Sequence, residues 1–379
     1  MATGIVDINS DLVRKKWVRE GLLQASSKSF WSAYTGKTND AIVQQVNNES
    51  AADGHTVVFD SDGNLAGKAI KGKNTAFGKG EQKKKFSNKI TVDRYRLVAD
   101  NGDKFDAVNI GDLSLSQHTD SRSKLGDLFI RFKDQALFDS AQGFKDNIKP
   151  SHSIQIDVST TALSYQDLVD IELSLRTGTG YMTGDFGSTT DAPSRAPLTP
   201  YRMADGRSIW VMMIDPFTAA NIKGNTAAGG IMTLAQHADL RGNGNRVFKG
   251  LLGQIGQLVI VEAEAFFGET SGRGLDSSAI EIAGLRQFDG TNWSGEEGYA
   301  SVQYSRNLIL GGGALQMAFG MQPDYKFKSS QDFDIKSESA LEVWMNTQKV
   351  NLLAENDDYA MAKRANMDSG VIALDLKIV

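Results

Sequence analysis

Residues 55–100 read HTVVFDSDGNLAGKAIKGKNTAFGKGEQKKKFSNKITVDRYRLVAD, and the fold of the chain turns on how this stretch is understood. It opens on a run of β-formers, Thr56-Val57-Val58-Phe59. It closes on another, in which Phe86, Ile90, Val92, Tyr95, Leu97 and Val98 recur among polar residues. Between the two lie Gly63, Gly67, Gly72, Gly78 and Gly80 with no proline, a composition that supports neither a stable helix nor a packed core. Two limbs of roughly 15 residues at about 3.3 Å per residue reach on the order of 50 Å. A compact body of this chain length has a radius of gyration of only about 21 Å. An arm with that reach outruns its own domain, so its expected resting place is a neighbouring subunit.

The charge on the arm sharpens the reading. Lys68, Lys71, Lys73, Lys79, Lys83, Lys84, Lys85 and Lys89 stand against one acid, Glu81, so 68–89 carries +7 in a chain of net −5, leaving −12 on the remainder. Three readings compete: a solvated lysine-rich loop, a nucleic-acid arm, and a basic arm docked on the acidic body of another copy. Against nucleic acid stand the scarcity of interleaved aromatics (Phe77, Phe86) and the absence of arginine before Arg94. The eight lysines are therefore the candidate inter-subunit contacts. In an extended strand Lys83 and Lys85 share one face and Lys84 the other.

The bulk composition bounds the rest. A chain of 379 residues, 40% hydrophobic and 23% charged, can bury a good core and hold two or three subdomains. With no cysteine there are no disulfides, thiolate metal sites or cysteine nucleophiles, which agrees with a reducing compartment. The opening Met-Ala-Thr-Gly-Ile-Val-Asp has no basic region followed by an apolar core, so no secretory signal is read there. The most apolar run, 258–267, is interrupted by Glu262 and Glu264 and is too short to span a bilayer, so no membrane partner is expected.

Along the chain, 10–25 reads as a helix capped by Ser10. Residues 119–142 form the strongest helical pattern, with Leu125, Leu128, Phe129, Phe132 and Ala136 on one stripe and Gly143 at the C-cap. A strand is expected at 153–158. A second helix is expected at 164–177, with Ser164 and Asp167 as a capping box, Leu163 and Leu168 as a hydrophobic staple and Gly178 as the stop. Residues 178–208 read as a long loop. Buried strands are expected at 209–214, stopped by Asp215-Pro216, and at 254–267. Residues 219–241 read as mostly helical, 268–300 as irregular and 308–319 as a tightly packed short helix; strands close the chain within 325–350 and at 370–376.

The search for a catalytic centre returns nothing. Gly36-Lys37-Thr38 ends like a phosphate loop, but position 31 is Trp where that motif requires glycine, and Gly242-Asn243-Gly244 is followed by Val247 in place of the third glycine. Asp60-Ser61-Asp62-Gly63 has its glycine two residues too early for a calcium loop and reads as a tight turn. His55, His118, His152 and His237 are scattered, without metal-ligand spacing. Paired acids at Glu262/Glu264 and Glu296/Glu297 are the residues an acid–base hydrolase would use, with no site signature around them. Asn48 and Asn292 fit a glycosylation pattern that has meaning only on secretion. The expectation is a protein that is not an enzyme and holds no cofactor or metal.

The order of these segments resembles one family, the major capsid proteins of tailed double-stranded DNA bacteriophages of the N4-like group. The resemblance rests on 30–45; on Thr56-Val57-Val58-Phe59, Gly63-Asn64-Leu65-Ala66-Gly67 and Thr91-Val92-Asp93-Arg94-Tyr95-Arg96 in the arm; and on Leu163-Ser164-Tyr165-Gln166-Asp167. It continues through 210–216, 250–262, 307–320 and Gly370-Val371-Ile372-Ala373-Leu374-Asp375. It implies an α+β protein of the tailed-phage and herpesvirus major capsid fold (the HK-ninety-seven type). In that fold 1–54 is an N-terminal arm and helix, 55–100 the extended loop, 101–160 a peripheral domain with its spine helix at 119–142, 161–320 mainly the axial domain, and 321–379 strands returning to both. The implied function is an icosahedral phage head built of hexamers and pentamers around double-stranded DNA, in the virion after assembly in the host cytoplasm. The implied partners are further copies of the chain, a portal, a separate scaffolding protein, a decoration protein, and packaged DNA by weak non-specific contact only. An encapsulin-like nanocompartment shell and, in a different class, a β-rich soluble hydrolase are the alternatives.

Overall fold

The computed structural model describes residues 29–47, 56–62, 67–81, 85–103, 113–224, 251–266, 283–331, 336–352 and 367–379, excepting positions 39, 68, 185, 189, 193, 194, 204 and 205. In chain order the strands are β1 (Thr35–Gly36), β2 (Val43–Asn47), β3 (Thr56–Asp62), β4 (Lys85–Thr91), β5 (Asp93–Asp103), β6 (His152–Asp157), β7 (Met182–Thr183), β8 (Tyr201–Arg202) and β9 (Ser208–Ile214). They continue with β10 (Leu251–Ile255), β11 (Leu258–Glu262), β12 (Gln287–Phe288), β13 (Tyr304–Leu310), β14 (Leu315–Gln331), β15 (Lys336–Lys349), β16 (Asn351–Leu352), β17 (Met367–Asp368) and β18 (Val371–Lys377). The α-helices are α1 (Leu113–Gln142), α2 (Tyr165–Thr177) and α3 (Pro216–Gly224).

The unbroken apolar run Ile209-Trp210-Val211-Met212-Met213-Ile214 follows from burial on both faces. Side chains alternate along a strand. Ile209, Val211 and Met213 join one core with Leu125, Phe129, Leu137 and Phe138 of α1. Trp210, Met212 and Ile214 join a second core with Leu168, Ile171 and Leu175 of α2 and with Ala219 and Ile222 of α3. A central strand between two cores has no solvent face to mark with polar residues. Its sheet runs β10-β11-β9-β13-β18-β6-β7, with β12 beside β13 and β8 beside β9. β9 is parallel to β11 and β18 to β6, so residues far apart in the chain lie side by side.

A second sheet, β1-β2-β14-β15-β5, lies under α1. At thirty residues and 1.5 Å per residue, α1 is about 45 Å long, and it begins six residues before the expected start. Gly143 stops it in the left-handed region (φ 83°), its N–H donating to Asp139 O at 3.1 Å. A side chain at Gly143 would meet Ile148 O at 2.7 Å. The buried face of α1 is rotated from the expected stripe. Leu125 and Phe129 are buried, but Phe132 and Ala136 are only half-buried, and the deeper row is Ile130, Asp134, Leu137, Phe138 and Ala141. Asp134 hides this row from sequence inspection. It is buried because it anchors the chain before β1, accepting from Ser29 Oγ and Phe30 N–H, both at 2.7 Å. Burial nevertheless pushes its carboxyl pKa up.

Helix α2 matches its expectation in detail. Ser164 Oγ accepts from Asp167 N–H, the Asp167 carboxylate accepts from Ser164 N–H at 2.8 Å, and Gly178 (φ 76°) closes the helix. Leu163 and Leu168 are both fully buried in the same core.

Other expectations are corrected. The strand expected at 254–267 is two antiparallel strands, β10 and β11, turned at Gly256 (φ 58°). The short helix expected at 308–319 is the end of β13 and the start of β14, turned through Gly311, Gly312 and Gly313. At Gly311 a Cβ would lie 2.1 Å from Thr199 O, so only glycine fits there. An apolar run buried on both sides has no period to separate helix from strand. The loop at 178–208 contains β7 and β8, each pinned to the edge of a larger strand. Of the helix expected at 219–241, α3 reaches Gly224 and 225–250 lies outside the described residues, as do the helix at 10–25 and the turn at Gly63.

Ion pairs of low exposure tie distant elements of the body together. Arg306 and Asp375 face each other across β13 and β18, at 2.7 Å and with side chains 1% and 2% exposed. Arg286 holds Asp139 of α1 at 2.6 Å, and Lys349 of β15 holds Asp368 of β17 at 3.0 Å. Desolvation pushes the Lys349 ammonium pKa down, against the pull of Asp368.

Candidate inter-subunit surface

The arm is a two-stranded ribbon. β3 and β4 pair antiparallel from Thr56↔Thr91 to Asp62↔Lys85. Its root is buried on its own chain: Val57, Phe59, Ile90 and Val92 pack with Ala318 of β14, against Val46 and Trp344. Asn88 Nδ2 donates to Gln316 Oε1 at 3.4 Å, and Asn346 Nδ2 donates to Thr91 O at 2.6 Å. The last part of the expected arm is not arm. β5 pairs along β15 from Asp93↔Met345 to Asp103↔Lys336 and is a strand of the body, because Tyr95, Leu97 and Ala99 face the core beside α1. The arm proper is therefore shorter than 55–100, rooted at 56–59 and 88–92.

Beyond the root the ribbon leaves the body. Every described residue from 67 to 81 is exposed. The tip has local order of its own: Gly72 and Gly78 take positive φ (71° and 79°), Asn74 Nδ2 donates to Lys71 O at 3.0 Å, and Lys79 N–H donates to Ala76 O at 3.2 Å. Lys71, Lys73, Lys79 and Lys89 are exposed. Lys68, Lys83 and Lys84 lie outside the described residues; Lys85 is in β4, opposite Asp62. The lysine reading overlooked the apolar side chains that share this surface. Phe77 is 95% exposed, Val58 53% and Ile70 40%. Their signal was a lone aromatic in a glycine-rich polar segment, with no alternating partner to suggest a core strand.

The acids set aside for acid–base work have structural partners. Glu262 pairs with Lys223 of α3 at 2.7 Å, and Glu296 accepts from Trp293 N–H at 2.7 Å within a tight loop. Among the described residues no group of His, Asp and Glu is arranged to hold a metal ion, and no helix is long and apolar enough to cross a membrane.

Solved structures of phage heads and capsids share this architecture. The chain superposes on the head structure of Helicobacter pylori bacteriophage KHP40 with a TM-score of 0.65 at 13% identity, covering 93% of this chain and 91% of that one. It superposes on the capsid of Ralstonia phage GP4 with a TM-score of 0.62 at 20% identity, covering 92% and 91%. For the capsid of cyanophage Pam1 the TM-score is 0.55 at 12% identity, covering 93% and 92%. At these identities the likeness establishes the fold. No curated protein matches the sequence. The family described as phage capsid protein matches residues 6–167 and 187–378, nearly the whole length, and the chain belongs to that family.

Proposed function

We propose that this chain is the major capsid protein of a tailed double-stranded DNA phage of the N4-like group, closing as hexamers and pentamers into an icosahedral head. In this reading its function is geometry and not catalysis, and no cofactor is required. The sheet under α1 is the peripheral domain, with α1 as its spine. The nine-stranded sheet with α2 and α3 is the axial domain. β6 then goes with the axial domain, because it pairs with β18. The arm is the extended loop, and its lysines meet an acidic surface of the next copy.

The observation that carries the reading is an arm rooted in its own sheet whose exposed tip bears lysine and apolar side chains together, in a chain of the phage capsid protein family. The −12 carried outside 68–89 supports it twice. It supplies a partner for the arm and keeps a shell lining from gripping packaged DNA. Portal and scaffolding proteins are the expected partners in the host cytoplasm, and the virion the final location.

Negative-stain microscopy and sedimentation of the expressed chain, with and without the neighbouring phage proteins, test this. Closed shells of uniform size are expected. A monomer or small oligomer under every condition refutes the proposal and returns the hydrolase alternative; shells loaded with a cargo protein in place of DNA return the nanocompartment.

A further inference from the structure

Lys145 lies just past the end of α1, and its half-buried side chain reaches across to β15. Its amine donates to Asn346 Oδ1 and, at 3.0 Å, to Thr347 O, with Thr347 Oγ1 at 3.5 Å. All three acceptors are neutral. The Asp139 carboxylate in the same wall is held on both oxygens by Arg286, at 2.6 and 3.1 Å. Tyr95, Phe132, Phe144 and Met345 keep the surroundings apolar, lining with Lys145 and Asn346 a cavity of about 370 Å³. Burial pushes the Lys145 pKa down, against the pull of Asp146, Asp93 and Asp139. A lysine so placed holds a larger share of free amine, the form that acts as a nucleophile.

The Asn346 carboxamide is presented to that amine as an electrophile. Its Oδ1 also accepts from Thr347 N–H at 2.8 Å, and its Nδ2 donates to Thr91 O at 2.6 Å. The first bond stabilises the charge that develops on the oxygen when an amine adds to the carbonyl carbon. The second fixes the plane of the group. Two carboxylates flank the pair: Asp146 follows Lys145 in the chain, and Asp93 stands opposite Met345 in the ladder of β5 with β15. A lysine hydrogen-bonded to an asparagine is common. An amine with neutral acceptors, in an apolar wall, against a carboxamide whose oxygen is already polarised, is the arrangement that amide exchange requires.

We propose that Lys145 Nζ and Asn346 Cγ join in an isopeptide bond within one copy of the chain. The amine adds to Cγ, and the Cγ–Nδ2 bond breaks. The proton that the amine gives up passes to Nδ2, carried by a flanking carboxylate, so one ammonia leaves and no oxidant or co-reactant is needed. The cavity that Asn346 lines gives the ammonia a way out. The bond ties the end of α1 to β15, joining residues 201 apart in the chain, and closes the intervening segment into a covalent loop. It depends on neither the arm nor the assembly.

The test is mass spectrometry of the purified full chain, as free subunits and after prolonged incubation at neutral pH. A mass lower than that of the sequence by one ammonia is expected, with a branched tryptic peptide joining Lys145 to Asn346. Lys145→Arg, which keeps the cation and its donors, should have the full mass and migrate more slowly on a denaturing gel than the looped wild type. The full sequence mass in the wild type under both conditions overturns the proposal. So does an ammonia loss confined to one unbranched peptide, which marks a succinimide, or a Lys145–Asn346 branch found only in multimer bands, which places the bond between copies. The wild-type spectrum decides even if the variant fails to fold.

Discussion

Removing the carboxylate of Asp375 should destabilise the body more than any surface change, and the size of the effect follows from its surroundings. Arg306 donates to Asp375 through Nε at 2.7 Å and Nη2 at 2.8 Å. The same guanidinium donates to Gly184 O at 2.6 Å and lies over Phe186 at 4.0 Å. Asp375→Ala leaves a buried cation with only carbonyl oxygens to neutralise it, which costs about 3–5 kcal/mol. Arg306→Met costs about the same, because it removes the cation that balances the buried carboxylate and a donor to the Gly184 carbonyl. In the double replacement Arg306→Met with Asp375→Leu no charge remains buried, and the residual cost falls to about 1–3 kcal/mol for the unpaired carbonyl groups. The pair should thus be strongly non-additive. A chain of this length has an unfolding entropy near 0.8 kcal/mol per degree, from about 2.1 cal/mol/K per residue. The single variants should therefore melt about 4–6 °C low and the double variant about 1–4 °C low. Calorimetry on unassembled subunits is the assay, since assembly stabilises by mass action. If the double variant loses the sum of the two singles, the pair is not the coupled unit described.

Phe129→Ala, cutting into the core under α1, should cost roughly 3–5 kcal/mol and reduce soluble yield before it affects assembly; unchanged thermal stability would place Phe129 outside the core. Glu342 is buried with Arg94 and Lys326 on its two oxygens, and these hydrogen bonds, Arg94 first, hold its carboxyl down to about 2 from the usual 4.5. A depressed carboxyl pKa stabilises above about pH 4.5, and the contribution is lost as pH falls towards 2. Glu342→Gln should therefore cost about 1–2 kcal/mol at neutral pH, modest because both cations are half exposed, and nothing near pH 2, read by denaturant midpoints across pH. Reversing Lys71, Lys73 and Lys79 to Glu should leave the subunit's melting temperature unchanged and cut particle yield in low salt; wild-type yields across a salt series would show that these lysines are merely solvated.

Legibility in the sequence followed how local each determinant is. Helix α2 was readable to the residue because Ser164, Asp167 and Gly178 are contiguous signals acting on their own backbone. β9 was readable as buried because an unbroken six-residue apolar run stopped by Asp215-Pro216 is too short for a buried helix and suits a central strand. β13 and β14 were misread by the same token: with both faces buried, Leu308 and Leu315 show no alternation, and the turn between them depends on glycines whose necessity comes from Thr199, a hundred residues away. The face of α1 was displaced because Asp134 and Gln142 occupy core positions. Gln142 is fully buried, donating to Arg286 O and Arg306 O at 3.0 and 2.8 Å and accepting from Arg286 N–H at 2.8 Å. Polar residues that serve the backbone of distant strands look like surface until those strands are in place. The candidate surface divides in the same way. Its lysines are a local run and were visible, whereas the root that carries them is assembled from Val57, Phe59, Ile90 and Ala318, which meet only in the folded chain.

The distribution of polar contacts implies that folding and assembly are carried by separate residues. In the body, buried ion pairs link elements far apart in the chain, and their value lies in fixing register: Arg306 opposite Asp375 favours one pairing of β13 with β18, since a slip by one residue would put the two charges on opposite faces of the sheet. In the arm beyond its root, the described contacts are local turns, and Lys71, Lys73, Lys79 and Phe77 face solvent. Changes there alter nothing that the free subunit buries. The root joins the two, because Val57, Phe59 and Ile90 pack on Ala318 and Trp344 and so set the direction in which the ribbon leaves the sheet. A cavity-forming change at Ile90 should therefore be the informative exception, lowering subunit stability by about 2–5 kcal/mol and also reducing assembly through a misdirected tip. Such a variant that lost stability yet assembled at full yield would show that the tip finds its partner without guidance from the root.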